Sequence, residues 1–313
     1  MKIEYLNKEY NLPDFLIVGA AKSGTTSLHY YLKQISSVSV PEIKESYFFS
    51  FFNNQPNFIS PDPLFDVISN LDTYANQFKS EPDSNLIGDA SPSYLYSYQT
   101  TIDNIKTIYG DKYKDLKIII ILRNPIDRAW SQYMHFKKNY NEPLEFKEAV
   151  KKETIDYRLN NNWNYFYDYI GFGEYTNQVK AYLNNFNNVK IFLYDDLKKD
   201  SQEVLNQTLS FLGVDNVNHN NKGTESKVFN ISGVPKKNVY SIFWRLKKIR
   251  GVKSVLRTIL PAQLRNNLNN FLMSKSLKRT SISNEDKLIL SEIYQNEMIT
   301  LYDLLKRDEI KNW

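Results

Sequence analysis

Cysteine is absent from all 313 residues, and histidine occurs only as His29, His135 and His219. The first absence excludes a disulfide framework and any thiolate metal site, and the second leaves little for an imidazole-ligated metal, so no metal cofactor is expected. No stretch approaches the roughly 18 consecutive apolar residues that a membrane span requires. The opening Met1-Lys2-Ile3-Glu4-Tyr5-Leu6 lacks the apolar core of a secretory signal, and a cytoplasmic protein is expected. Asp and Glu are missing from Ser226 to Asn284, where thirteen Lys and Arg fall; with a formal net charge of +5, the remainder of the chain carries −8. Such asymmetry marks one face for an anionic partner, an acidic polysaccharide or the anionic inner face of a membrane, although a helix with a solvated basic side has the same pattern. The sequence pI of about 8.9 comes from this one region, no recognition motif accompanies it, and no nucleic-acid partner is expected.

What is present speaks for a folded α/β protein. Hydrophobic residues make up 42% of the chain, with 23 Tyr and 18 Phe, which excludes a disordered polymer. The length suffices for a large core, taken as one domain spanning residues 1–313. Its richness in Asn, Lys, Ile and Tyr fits an AT-rich, bacterial genome. Apolar β-type runs occur at Phe15–Val18, Asn85–Ile87, Lys117–Leu122 and Val189–Tyr194. Helical segments are expected at Thr25–Gln34, Ile126–Lys138 and Gly173–Phe186, with another from Val204 to a stop at Gly213. Strands alternating with helices predict a parallel sheet covered on both faces, with ligands at the carboxyl ends of its strands. A last helix is expected over Asn284–Lys306, with Leu288, Ile289, Ile293, Leu301, Leu304 and Leu305 as its apolar face.

Two strand-to-helix junctions carry the chemistry. In Phe15-Leu-Ile-Val-Gly-Ala-Ala-Lys22-Ser23-Gly24-Thr25-Thr26-Ser27 a buried strand feeds a glycine-containing loop, and the backbone N–H groups of that loop and the positive end of the next helix suit a phosphate. Lys22, Thr25, Thr26 and Ser27 add side-chain donors. The lysine precedes Gly24 by two positions, so the loop departs from the G-x-x-x-x-G-K-[ST] order of nucleoside-triphosphatases. In Lys117-Ile-Ile-Ile-Ile-Leu122-Arg123-Asn-Pro125-Ile-Asp-Arg128-Ala-Trp-Ser131 a second strand ends in Arg123, and Pro125 opens a helix. Either motif alone fits an ordinary turn or a structural strand-end arginine. Together, about a hundred residues apart in the chain, they suit a ligand with two separated phosphates.

This pair of motifs resembles that of sulfotransferases that use 3′-phosphoadenosine 5′-phosphosulfate (PAPS), a P-loop-like family that includes carbohydrate and heparan sulfate enzymes. The resemblance implies that Lys22 to Ser27 hold the 5′-phosphosulfate and that Arg123 and Ser131 hold the 3′-phosphate. PAPS would be the donor and PAP the product. Lys44-Glu45-Ser46-Tyr47-Phe48-Phe49 is similar to the Lys-Glu-x-x-Phe-Phe segment of the heparan sulfate enzymes, which implies that Glu45 is the general base and that Lys44 contacts the sulfuryl group or the acceptor. Lys22 would supply positive charge where the leaving phosphate develops. Gly88-Asp89-Ala90-Ser91-Pro92-Ser93-Tyr94 is similar to the family's Glu-Lys-Thr-Pro-x-Tyr, with Ala90 in place of the lysine; the acceptor pocket should therefore differ from theirs. Lys275 matches the first position of a loop that closes over the nucleotide, with Arg279 as a substitute for that loop's arginine.

The expectation is thus sulfuryl transfer from PAPS to a hydroxyl of a saccharide or glycolipid. Two other readings stay open at this point, a nucleoside-triphosphate kinase and a non-catalytic nucleotide- or glycan-binding protein. His135 is read as an ordinary helix residue, named with Asp89 only as a reserve base.

Overall fold

The computed structural model describes residues 1–41, 44–64, 66–79, 85–139, 141–214, 234–235, 277–278 and 280–313. Its centre is a five-stranded sheet, all parallel, made of β3 (Phe15–Gly19), β4 (Val38–Ser39), β5 (Leu86–Ala90), β6 (Lys117–Leu122) and β7 (Asn188–Leu193). The spatial order is β4-β5-β3-β6-β7. After β3 the chain builds one side of the sheet, then crosses to the other, so β3 sits where the winding reverses. Loops leaving β3 and β6 diverge there, and this opens a crevice at the carboxyl ends of the strands.

Period-two alternation assigns the two faces. Phe15, Ile17, Ile119, Ile121 and Phe192 point to one side and pack on Leu28 and Leu32 of α1 (Thr25–Leu32) and Leu205 and Leu209 of α10 (Ser201–Leu212). Leu16, Val18, Ile118, Ile120 and Leu122 point to the other, against Ile102 and Ile105 of α4 (Tyr98–Tyr109) and Val179 and Tyr182 of α8 (Tyr175–Asn185). Both faces are dry, which explains why β3 and β6 read as unbroken apolar runs. A third cluster joins α5 (Pro125–Lys138) to the aromatic turn 163–172 and to the last helix, α11 (Asn284–Leu305).

The parallel, doubly covered sheet agrees with the sequence reading; the strand limits shift by at most one residue, except that the second expected strand runs three residues further, to Ala90. Gly213 does end α10, at φ 77°. Three features differ. A hairpin of β1 (Lys2–Tyr5) and β2 (Lys8–Asn11) precedes the sheet, and β4 adds an edge strand; both are short and, in the hairpin, charged, so neither shows an apolar run. On α11 the inward residues are Leu290, Tyr294 and Leu301, whereas Leu288 and Ile293 are 66% and 43% exposed. Tyr294 is the reason: its hydroxyl donates to the Ile170 carbonyl at 2.9 Å and fixes which side of the helix turns inward.

Candidate active site

Residues that follow each of the five sheet strands converge on one cavity of about 1010 Å³. The loop after β3 turns at Lys22 (φ 66°) and Gly24 (φ 93°) and enters α1 at Thr25. Gly24 is required on two counts. Its φ is left-handed, and an added Cβ would lie 2.6 Å from Leu197 Cδ2 and 3.0 Å from the Tyr194 ring. The first N–H groups of α1 have no partner within the helix and are available to an anion. Lys22, Gly24, Thr25, Thr26 and Ser27 all line the cavity; Ser23 is fully buried beneath it, its hydroxyl turned to the Ala21 carbonyl at 3.5 Å. Of the loop residues named from sequence, Ser23 alone has a side chain directed away from the cavity.

The second junction supplies a helix face. Asn124 caps α5 by accepting from the N–H groups of Ile126 and Asp127 at 2.9 and 3.2 Å, and Pro125 starts it. Arg123, Asp127, Ser131 and His135 then follow at four-residue intervals and all face the cavity. The Arg123 guanidinium donates through Nη1 to the Lys22 carbonyl at 3.1 Å, lies 4.9 Å over the Tyr194 ring and sits 3.7 Å from the Asp127 carboxylate. Its buried Nε has no partner. The two phosphate-type sites are therefore clamped together directly, by an arginine of one holding the loop of the other.

Between them stands a cationic centre. Burial, with the charges of Lys138, Lys44 and Arg123 added, outweighs the pull of Glu45 and lowers Lys22 to about 8. Its Nζ lies 3.4 Å from His135 Nδ1. Desolvation, then Lys22 and Lys138, hold His135 well below the ordinary histidine value, so the imidazole is neutral and can accept from the ammonium. Lys44 Nζ meets Glu45 Oε1 at 2.5 Å, and the Tyr47 hydroxyl donates to Oε2 at 3.0 Å. Burial pushes the Glu45 carboxyl up, but Lys44, Tyr47 and Lys22 together carry it below its usual value, which leaves it ionised at neutral pH.

The fold thus brings Lys22, Gly24, Thr25, Thr26, Ser27, Lys44, Glu45, Arg123 and Ser131 to one cavity. Lys275, Arg279 and most of the acid-free segment 226–284 lie outside the described residues. Asp89 is corrected from reserve base to buried residue: it is 1% exposed and its carboxylate is engaged by Tyr74, Tyr94 and the Ala90 N–H. Ala90, where the family's lysine would stand, is likewise buried, packed with the apolar core around β3. His135, Tyr47 and Tyr194 were missed as site residues. The interval from Ser131 to His135 is one helical turn and was the available signal for the first; for the tyrosines no local pattern marks the contact.

The chain belongs to the sulfotransferase family: the sulfotransferase-domain model matches residues 12–232. It is 33% identical over 153 residues to the membrane-associated sulfotransferase kil1 of Dictyostelium discoideum, covering 46% of this chain and 28% of that protein. Over 138 residues it is 30% identical to the human (Homo sapiens) bifunctional heparan sulfate N-deacetylase/N-sulfotransferase 2, covering 42% of this chain and 14% of the relative. The matches span less than a third of either relative's length. Among solved structures, a sulfotransferase from Alicyclobacillus acidocaldarius superposes with a TM-score of 0.67 at 25% identity, covering 95% of this chain and 97% of that one.

Proposed function

We propose that the protein transfers a sulfuryl group from PAPS to a hydroxyl of a saccharide or glycolipid, with Glu45 as general base. One observation carries the reading: two cationic phosphate-type sites and an ionised carboxylate paired with a lysine share a single cavity. The residues fit the donor. Thr25, Thr26, Ser27 and the N–H groups at the start of α1 would hold its 5′ end, and Arg123 with Ser131 its 3′-phosphate; the unpartnered Arg123 Nε marks a donor set that the protein alone leaves incomplete. When bound, PAPS supplies the sulfuryl group and a bisphosphate that departs. Lys22 and Lys44 set positive charge against that departing anion, and Glu45 takes the proton of the attacking hydroxyl. Tyr47, Asp62 and Phe166 line part of the remaining wall, aromatic and carboxylate groups of the sort that sugar rings and hydroxyls contact. Relatives are named for carbohydrate and for heparan sulfate, and this supports a saccharide acceptor.

The test is Glu45→Gln, which keeps the shape and removes the base. With labelled PAPS and a panel of glycans, glycolipids, phenols and peptides, kcat should fall by about 10²–10⁴-fold while PAP affinity is unchanged. Retained turnover would remove Glu45 from the role. Transfer is also expected to persist in EDTA, whereas a kinase would lose activity on chelation and regain it with Mg²⁺.

A further inference from the structure

The segment that bears Glu45 is held in a conformation that its own sequence disfavours. Glu45 and Tyr47 both adopt left-handed backbone angles, φ 70° and 58°, although neither is glycine. Such residues persist only where their surroundings over-determine them. Here the surroundings are the end of β5. The Glu45 N–H donates to the Ala90 carbonyl at 3.1 Å and the Tyr47 N–H to Ser91 Oγ at 3.2 Å. Ser46, between them, is fully buried and points inward, its hydroxyl 3.4 Å from Asp89 Oδ2 and 3.3 Å from the Tyr94 hydroxyl.

Asp89 is the hub of this arrangement. Its Oδ2 accepts from Tyr94 at 2.9 Å, from Tyr74 at 3.1 Å and from Ser46, while Oδ1 accepts from the Ala90 N–H at 2.8 Å. Ser46 Oγ and the Tyr94 hydroxyl in turn accept from the N–H groups of Phe48 and Phe49, each at 3.4 Å, at the start of α2 (Phe48–Phe51). Tyr74 stacks on Phe48 with ring centres 4.0 Å apart. Every neighbour of the carboxylate is a donor. An amide in its place would turn its NH₂ toward a donor whichever way it flipped, and the hydroxyls would have to rotate away.

We infer that Asp89, acting through Ser46, is a positioning residue for Glu45: it fixes the backbone turn that aims the base into the cavity, without itself touching the substrate. The inference rests on the reading of Glu45 as base. The experiment uses Asp89→Asn, Ser46→Ala and Glu45→Gln, singly and with each of the first two combined with the third, in the full chain. Transfer from PAPS and PAP affinity are measured on protein whose melting curve shows it folded. Asp89→Asn and Ser46→Ala should each lower kcat by about 10- to 100-fold with PAP affinity unchanged, the scale of a misplaced catalytic group. In the Glu45→Gln background they should add almost nothing, because there is no base left to misplace.

Unchanged kcat in both variants, or losses that multiply with that of Glu45→Gln, overturns the positioning role. If Asp89→Asn does not fold, Ser46→Ala, which deletes one hydroxyl, decides alone. Should Glu45→Gln lower kcat while the two hub variants do not, only this inference falls; should Glu45→Gln itself leave kcat intact, the base assignment and this inference fall together.

Discussion

At the scale of single residues, the site depends on charges held close together. Lys22 is buried, within the fields of Lys138, Lys44 and Arg123, and its lowered pKa records the cost of desolvating that positive charge, which Glu45 offsets only in part. A bound phosphate stabilises the protonated form and raises this pKa. PAP affinity should therefore be flat below about pH 8 and fall as pH rises through that value, because above it the free protein must first take up a proton. Calorimetry from pH 6.5 to 9.5 reads this directly, and a flat profile would mean that Lys22 makes no charge-dependent contact. Arg123→Ala removes the other half of the pair. It should weaken PAP by about 1.5–3 kcal/mol and 5′-AMP, which lacks the 3′-phosphate and feels only the lost clamp on the loop, by less. Equal losses for both ligands would place Arg123 elsewhere on the nucleotide.

At the scale of elements, the phosphate loop works because β3 and α1 meet through a residue without a side chain. Gly24→Ala puts a methyl into Leu197 and Tyr194 of α9 (Tyr194–Lys199) and demands a left-handed angle of an L-residue. The backbone term alone costs about 1–2 kcal/mol. The clash can be relieved only by pushing α9 away, and Tyr194 is the ring on which Arg123 rests. Both phosphate sites should thus weaken from one substitution: a lower melting temperature and reduced affinity for PAP and for 5′-AMP alike, measured by thermal shift and calorimetry. If 5′-AMP binding survived intact, the loop would tolerate more freedom than this packing allows.

At the scale of the whole molecule, the part of the cavity wall that Asn164 and Phe166 form is tied together by a buried ion pair. Arg158 of α7 (Lys152–Asn160) bonds both oxygens of Glu142 at 2.8 and 2.9 Å, and Tyr169 donates to the same carboxylate at 2.6 Å. The guanidinium lies over the Trp163 and Tyr167 rings, 4.8 and 5.3 Å from their centres. This knot anchors the turn after α5 and the aromatic segment that carries Asn164 and Phe166 into the cavity. Glu142→Gln leaves a buried cation unpaired and should cost about 3–5 kcal/mol of stability, read from urea midpoints. A loss under about 1 kcal/mol would show that the wall is held by aromatic packing alone.

The sequence by itself determined the elements and the two phosphate loops, because each is a local pattern. Phe15–Gly19 and Lys117–Leu122 are apolar on both faces and so announce interior parallel strands, and the residues that leave them, Lys22 to Ser27 and Arg123 to Ser131, are contiguous with the strands that place them. Tertiary structure alone decided the rest. That Arg123 holds the Lys22 carbonyl, that Asp89 is a buried acceptor rather than a base, and that His135 meets Lys22 all follow from the winding order β4-β5-β3-β6-β7, which brings segments from 15 to 113 residues apart within hydrogen-bond reach. The inward side of α11 was set in the same way, by the reach of Tyr294 to a carbonyl 124 positions earlier. Hydrophobic periodicity specifies which faces are buried, but the partner of a polar group depends on which strands become neighbours, and that is a property of the assembled sheet.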